Sequence, residues 1–287
     1  MRDMLYEIFV LIINRGQEYM TKYDYVHGYT KRELLRLEDQ ANTLDGILHH
    51  DTIFPAGSRI LEAGCGNGAQ TKIIAKKNPG SHFISVDISE SSLKKAEKLI
   101  KDLSIKNVNL EVGNILDLKY DDEYFDHIFS CFVLEHLSSP IDALKSLKRV
   151  LRKGGSINVI EGDHGSTYYY PYSSYAERAI QSQVSFQALS GGNAFIGRQI
   201  YPLLNQSGFK NCTVSPRMVY VDSSKPELVE GFTKSTFIAM IEGIKEKVIK
   251  KGIIDEDTFD KGIEDLYRTT FKDGVFCYTF FKGIGYK

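Results

Sequence analysis

The stretch "RILEAGCGNGAQT", Arg59 to Thr71, restricts the fold more than any other part of the chain. A short apolar strand runs into a turn holding Gly64, Gly66 and Gly68, and a helix must follow. That strand–turn–helix unit belongs to parallel α/β sheets, which bind ligands beyond the carboxyl ends of their strands. The spacing is G-x-G-x-G, whereas the dinucleotide fingerprint is G-x-G-x-x-G. The third glycine comes one residue early, and Glu62 stands two residues before the first. A carboxylate there repels a pyrophosphate and suits a ligand that brings an ammonium group.

The rest of the central region repeats the pattern. "RILEAG", "HFISVD", "NLEVGN", "DHIFSCF" and "SINVIE" read as strands alternating with helices from about residue 58 to 161, so the fold class is a doubly wound α/β sheet. Ser89 caps a helix whose Leu93, Ala96, Ile100 and Leu103 share a face. Ser139, followed by Pro140 and Asp142, opens another that "RKGG" at 152–155 stops. The second strand ends in Asp87, placed to accept both hydroxyls of a ribose, and the third in Asn114, whose amide pairs with the edge of an adenine. An adenosine that carries an amino acid and no phosphate satisfies Glu62, Asp87 and Asn114 together, which specifies S-adenosylmethionine.

Charge supports a small-molecule partner. Lys plus Arg number 36 against 37 Asp plus Glu, so no net field draws in nucleic acid or an anionic membrane. Cys65, Cys131, Cys212 and Cys277 are widely spaced, without a metal-binding pattern, and imply a reducing, cytoplasmic setting. The apolar "MLYEIFVLII" carries Glu7 and is too short to span a bilayer, so it reads as a packing extension.

Four regions follow: an N-terminal extension with lid helices over 1–50, the cofactor-binding core over 51–162, an acceptor-side lid over 163–211, and the last two strands with a two-helix insertion over 212–287. In the first, Tyr23, Tyr25 and Tyr29 precede a helix opened by Thr30-x-x-Glu33, with Leu34, Leu37, Ala41, Leu44 and Leu48 on one stripe. Arg36 and Gln40 lie on neighbouring turns, suited to a carboxylate. In the third, "GDHGSTYYYPYSSYAE" reads as a tyrosine-dense loop leading to a helix capped by Ser174 with Glu177. An aromatic face such as Tyr29 or this cluster can stabilise a sulfonium. "CTVSPRMVYVD" and "VFCYTFFKGIG" close the chain as strands.

"ILEAGCGNG", "FISVDIS", "GNILDL", "FDHIFSCFVLEHL" and "LKRVLRKGGSINVIE", in that order, resemble the class I S-adenosylmethionine-dependent methyltransferases, in particular those acting on small molecules. The resemblance implies a mostly parallel, seven-stranded Rossmann-like sheet with an antiparallel last strand between the fifth and sixth. It implies contacts to the methionine part from Glu62, Gly64 and Gly66, with Cys65 between them. Asp87 and Ile88 would meet ribose and adenine, and Asn114 and Ile115 adenine. Asn114 departs from the Asp often found there. The partner implied is a small-molecule methyl acceptor, and the methylated atom stays open between O, N, C and S. For a hydroxyl or an acidic carbon a base is wanted, with His164 the first candidate and Asp163 the second. No metal is implied. Two other classes compete: a non-catalytic S-adenosylmethionine-binding regulator, and an NAD-dependent oxidoreductase opposed by the glycine spacing and Glu62.

Overall fold

A computed structural model describes residues 31–287. Tyr23, Tyr25, Tyr29, the Thr30 cap and the apolar extension lie outside the described residues. Helix α1 (Lys31–Leu48) presents Ala41, Leu44 and Leu48, all buried, at the spacing of one helical face. The glycine turn then joins β1 (Arg59–Ala63) to α2 (Thr71–Lys77), followed by β2 (His82–Asp87), α3 (Glu90–Asp102), β3 (Val108–Val112) and β4 (Phe125–Cys131). Next come α4 (Pro140–Val150), β5 (Leu151–Tyr170), α5 (Ser174–Leu189), α6 (Ile200–Gln206) and β6 (Lys210–Asp222).

The sheet has seven strands in the order β3-β2-β1-β4-β5-β7-β6, where β7 spans Val275–Tyr286. The first five are parallel, and β7 runs antiparallel to both β5 and β6, between them as expected. One apolar layer covers each face, centred on Leu44, Phe83 and Phe232 on one side and on Leu61, Phe125 and Leu147 on the other. Strand order reverses between β1 and β4, so the loops after these two strands diverge and leave a crevice at their carboxyl ends.

Several local expectations are corrected. Ser89 does cap α3, its Oγ accepting from the Ser92 N–H at 3.3 Å. Ser139 precedes Pro140 but makes no capping bond, and α5 is capped by Ser173 rather than Ser174, with Oγ accepting from Tyr175 and Ala176 N–H at 3.1 Å each. The tyrosine-dense loop is strand: β5 continues to Tyr170 because β7 offers it a partner, in the pairs Tyr168↔Cys277, Tyr169↔Phe276 and Tyr170↔Val275, beyond a register shift after Asp163. Between β6 and β7 lie three helical segments instead of two. The first comprises α7 (Pro226–Leu228), a π-pitched stretch (Val229–Ile238) and α8 (Ala239–Glu242), and then come α9 (Lys245–Lys250) and α10 (Glu256–Arg268). Gly252, at φ +66°, ends α9, and Asp255 caps α10 by accepting from Thr258 N–H at 2.8 Å. Among the described residues no helix is long and apolar enough to cross a membrane.

Candidate active site

The turn after β1 builds one wall of the crevice. Gly64, Gly66 and Gly68 all have positive φ, at +79°, +54° and +82°. Gly64 is doubly constrained, since a Cβ there would stand 2.5 Å from Val133 Cγ2 in the loop after β4. Its N–H and that of Cys65 both donate to Val86 O, at 2.8 and 3.0 Å, which ties the turn to β2. Asp87, at the end of β2, fixes the turn from the other side. Its Oδ2 accepts from Gly66 N–H at 2.8 Å and its Oδ1 from Ser89 N–H at 2.9 Å. Each oxygen keeps a lone pair for a ligand. Burial raises the Asp87 carboxyl, with the two backbone N–H groups pulling the other way.

A cavity of about 550 Å³ opens from this turn. Gly64, Cys65, Gly66, Asp87, Ile88, Asn114, Ile115 and Arg36 line it, so eight of the sequence-assigned cofactor residues meet on one surface. Asn114 Oδ1 accepts from Leu116 N–H at 2.9 Å, a local turn that spends one lone pair of the amide and orients the rest. Arg36 is buried and donates to Glu33 at 2.6 and 2.7 Å and to Gln40 at 3.1 Å, so the two neighbouring turns of α1 do act together. Cys65 is buried, and that burial, with the Glu62 and Asp87 charges adding to it, pushes its thiol up.

Two assigned residues are not on the cavity wall. Glu62 lies behind the glycine turn, 2% exposed, because its strand position sets it opposite Ser85, whose hydroxyl donates to it at 2.6 Å. Burial drives its carboxyl up to about 7, with the Asp87 charge adding to the rise and Ser85 opposing it. Asp163 accepts from Arg198 Nε and Nη2 at 2.6 and 2.8 Å, an ion pair that occupies both oxygens and corrects its assignment as a base. His164 is on the wall, buried, with Nδ1 2.7 Å from Tyr278 Oη. Desolvation lowers its imidazole below the usual value, so the ring is neutral at physiological pH. The tyrosine cluster does not close the cavity: Tyr168, Tyr170 and Tyr172 are 69, 60 and 72% exposed, and none of them lines it.

The far end of the cavity escaped sequence reasoning. It is formed by Phe132, the π-stretch residues Phe232 and Phe237, Met240, and Tyr278 and Phe280 of β7. These rings interlock, with centroids 4.7 Å apart for Tyr278 and Phe280, 5.6 Å for Phe237 and Tyr278, and 5.4 Å for Phe132 and Phe280. Phe132 itself has φ +58°, a conformation that costs a non-glycine residue about 1 kcal/mol or more. It is held by Glu161, whose buried carboxyl accepts from the N–H groups of Val133, Leu134 and Glu135 at 3.0, 2.8 and 3.4 Å. Glu161, inside β5, therefore shapes the wall from behind. The only signal for the aromatic end was the alternation in "VFCYTFFKG". Among the described residues no His, Cys, Asp and Glu cluster is arranged to hold a metal.

A glycine-rich turn, a carboxylate and an amide after successive strands, and an apolar chamber beyond them make up the site. Residues 55–208 match the methyltransferase domain family. The chain belongs to that family. The methyltransferase domain is 30% identical, over 68% of this chain and 79% of the relative, to the demethylmenaquinone methyltransferase of Staphylococcus carnosus. It is 35% identical over 148 residues to an uncharacterised methyltransferase of Schizosaccharomyces pombe, a match over 50% of this chain and 53% of the relative. The chain thus spans about half the length of that relative. A solved structure with the same fold is the phosphoethanolamine N-methyltransferase 2 of Haemonchus contortus, in complex with phosphomonomethylethanolamine and S-adenosylhomocysteine. Its TM-score is 0.53 at 17% identity, covering 87% of this chain and 52% of the nematode one. S-adenosylmethionine is the cofactor of the family.

Proposed function

We propose that the methyltransferase domain moves a methyl group from S-adenosylmethionine to a small molecule held in the aromatic end of the cavity. The observation that carries this reading is the continuity of one cavity from Gly64, Gly66, Asp87 and Asn114 to Phe237, Tyr278 and His164. The residues fit the cofactor: Asp87 keeps two lone pairs for ribose hydroxyls, Asn114 keeps its amide N–H groups, Ile88 and Ile115 offer apolar contact, and Gly64 and Gly66 bring no Cβ to obstruct approach. Arg36 with Gln40 suits the methionyl carboxylate. When bound, the sulfonium supplies an already electrophilic methyl carbon.

What this chain's residues contribute is then alignment and exclusion of water. Holding two reactants in line supplies about 7–11 kcal/mol of the barrier. Phe132, Phe232 and Phe237 displace water from the chamber, and the Glu161 clamp keeps Phe132 in place despite its backbone strain. Asp163 takes no part, since Arg198 holds both its oxygens. S-adenosylhomocysteine should raise the melting temperature of the chain and NAD should not, because a ligand that binds only the folded state stabilises it by mass action. Stabilisation by NAD alone would return the chain to the oxidoreductase class. Transfer of a labelled methyl group to a bound acceptor separates an enzyme from a non-catalytic binder.

A further inference from the structure

Several polar atoms on the cavity wall are committed to protein partners. Thr236 Oγ1 donates to Gly231 O at 2.7 Å and Ser190 Oγ to Phe186 O at 3.0 Å. Tyr278 Oη meets His164 Nδ1, over Gly162, where any Cβ would come within 2.5 Å of the hydroxyl. His164 Nε2 is buried and has no hydrogen-bond partner among the described residues.

The tautomer follows from counting donors. A neutral imidazole carries one proton. Were it on Nδ1, that nitrogen would donate to Tyr278 Oη, and the buried phenolic hydrogen would be left without an acceptor, since Nδ1 is the one acceptor it meets among the described residues and the Asp163 backbone group bonded to the same oxygen is itself a donor. Two groups would then go unpaired, the phenolic O–H and the Nε2 lone pair. With the proton on Nε2, Tyr278 donates to Nδ1 and only Nε2–H waits for a partner. Each buried unpaired polar group costs about 1–3 kcal/mol, so the second arrangement prevails. His164 therefore directs a donor, not a basic lone pair, into an apolar chamber. In that tautomer Nε2 has no lone pair with which to act as a base.

We propose, on the methyltransferase reading above, that the acceptor is an uncharged, largely apolar molecule presenting one carbonyl- or ether-type oxygen to His164 Nε2–H. An ammonium group has no lone pair to offer that N–H. A phosphorylated acceptor meets no suitable cation: Arg36 is the one Lys or Arg on the wall among the described residues, and the reading above already assigns it, paired with Glu33, to the methionyl carboxylate. Glu33, Asp87 and Glu135 line the same cavity and repel an anion further. The domain thus differs in acceptor chemistry from the nematode enzyme that shares its fold.

The test uses the full chain saturated with S-adenosylhomocysteine and three probes in calorimetry: α-tetralone, tetralin, which lacks the oxygen, and phosphoethanolamine. Tetralone should bind about tenfold more tightly than tetralin, and phosphoethanolamine should not compete. The His164→Phe variant should erase the preference for tetralone while still binding tetralin. Nitrogen NMR of the imidazole in the unmutated complex provides an independent reading, with the proton expected on Nε2. A proton on Nδ1, equal or undetectable binding of tetralone, or tighter binding of phosphoethanolamine would overturn the proposal. Failure to bind S-adenosylhomocysteine at all would instead overturn the reading beneath it.

Discussion

Glu62 gives the sharpest quantitative test of the site's electrostatics. Its carboxyl is buried against Ser85 with a midpoint at about 7, compared with an ordinary 4.5. A carboxyl raised in this way favours the folded state fully below its unfolded midpoint, and the advantage drains away as pH rises through the folded one. The folded chain holds a proton that the unfolded chain has already lost. At about 1.4 kcal/mol per pH unit, the two midpoints imply a loss of about 3 kcal/mol by pH 8, of which about 2 kcal/mol falls between pH 5.5 and 8. Glu62→Gln keeps the shape and an oxygen for the Ser85 hydroxyl but never ionises. The variant should therefore gain on the natural chain by about 2 kcal/mol as pH rises from 5.5 to 8. With no tryptophan in the chain, urea melts followed by circular dichroism at the two pH values provide the comparison. Because all other groups titrate alike in both proteins, only the difference between the curves matters. A stability difference that stays flat with pH, or one that turns against the variant as pH rises, would refute a protonated, buried Glu62.

Asp87→Ala removes the acceptor of Gly66 and Ser89 N–H together with the proposed ribose contact. S-adenosylhomocysteine affinity should fall by at least about tenfold in calorimetry, at about 1.5–3 kcal/mol for each charge-assisted bond lost. Gly64→Ala should destabilise the fold and abolish cofactor binding, because both the φ of +79° and the 2.5 Å approach to Val133 oppose a Cβ. Adding Val133→Ala should recover only part of the melting temperature, since the backbone strain persists. Arg198→Met leaves Asp163 buried without its partner and should cost about 2 kcal/mol in urea unfolding, most of it restored by Asp163→Asn in the same chain.

The parts of the molecule legible in the sequence were those governed by neighbours along the chain. A glycine turn between an apolar strand and a helix, Asp87 closing β2 and Asn114 just after β3 are local facts, and all three line the cavity. What could not be read depended on pairing across distance. β5 runs on to Tyr170 through glycines and polar residues that look like loop, because β7 pairs with it from more than 100 residues away. His164 acquires its tautomer from Tyr278 on that same strand. The π-pitch of Val229–Ile238 is likewise tertiary: Gly231 lies so close to Thr43 of α1 that a Cβ would meet Oγ1 at 2.2 Å. Glu62 is a subtler case. Being next to the turn in sequence suggested contact with the ligand, whereas the strand's geometry directs its side chain to Ser85.

The position of β7 between β5 and β6 also sets a schedule for biogenesis. Tyr278 and Phe280, the back of the aromatic chamber, are made over 100 residues after β5 ends, which at ribosomal speeds of about 5–20 residues per second is a delay of roughly 5–20 s. During that interval the parallel strands β1 to β5 can assemble, with the edge of β5 open and β6 without its one strand partner. Such edges recruit other chains. A nascent chain halted before Val275 would therefore display an aggregation-prone edge on β5, and the completed strand acts as the fold's own chaperone by covering it.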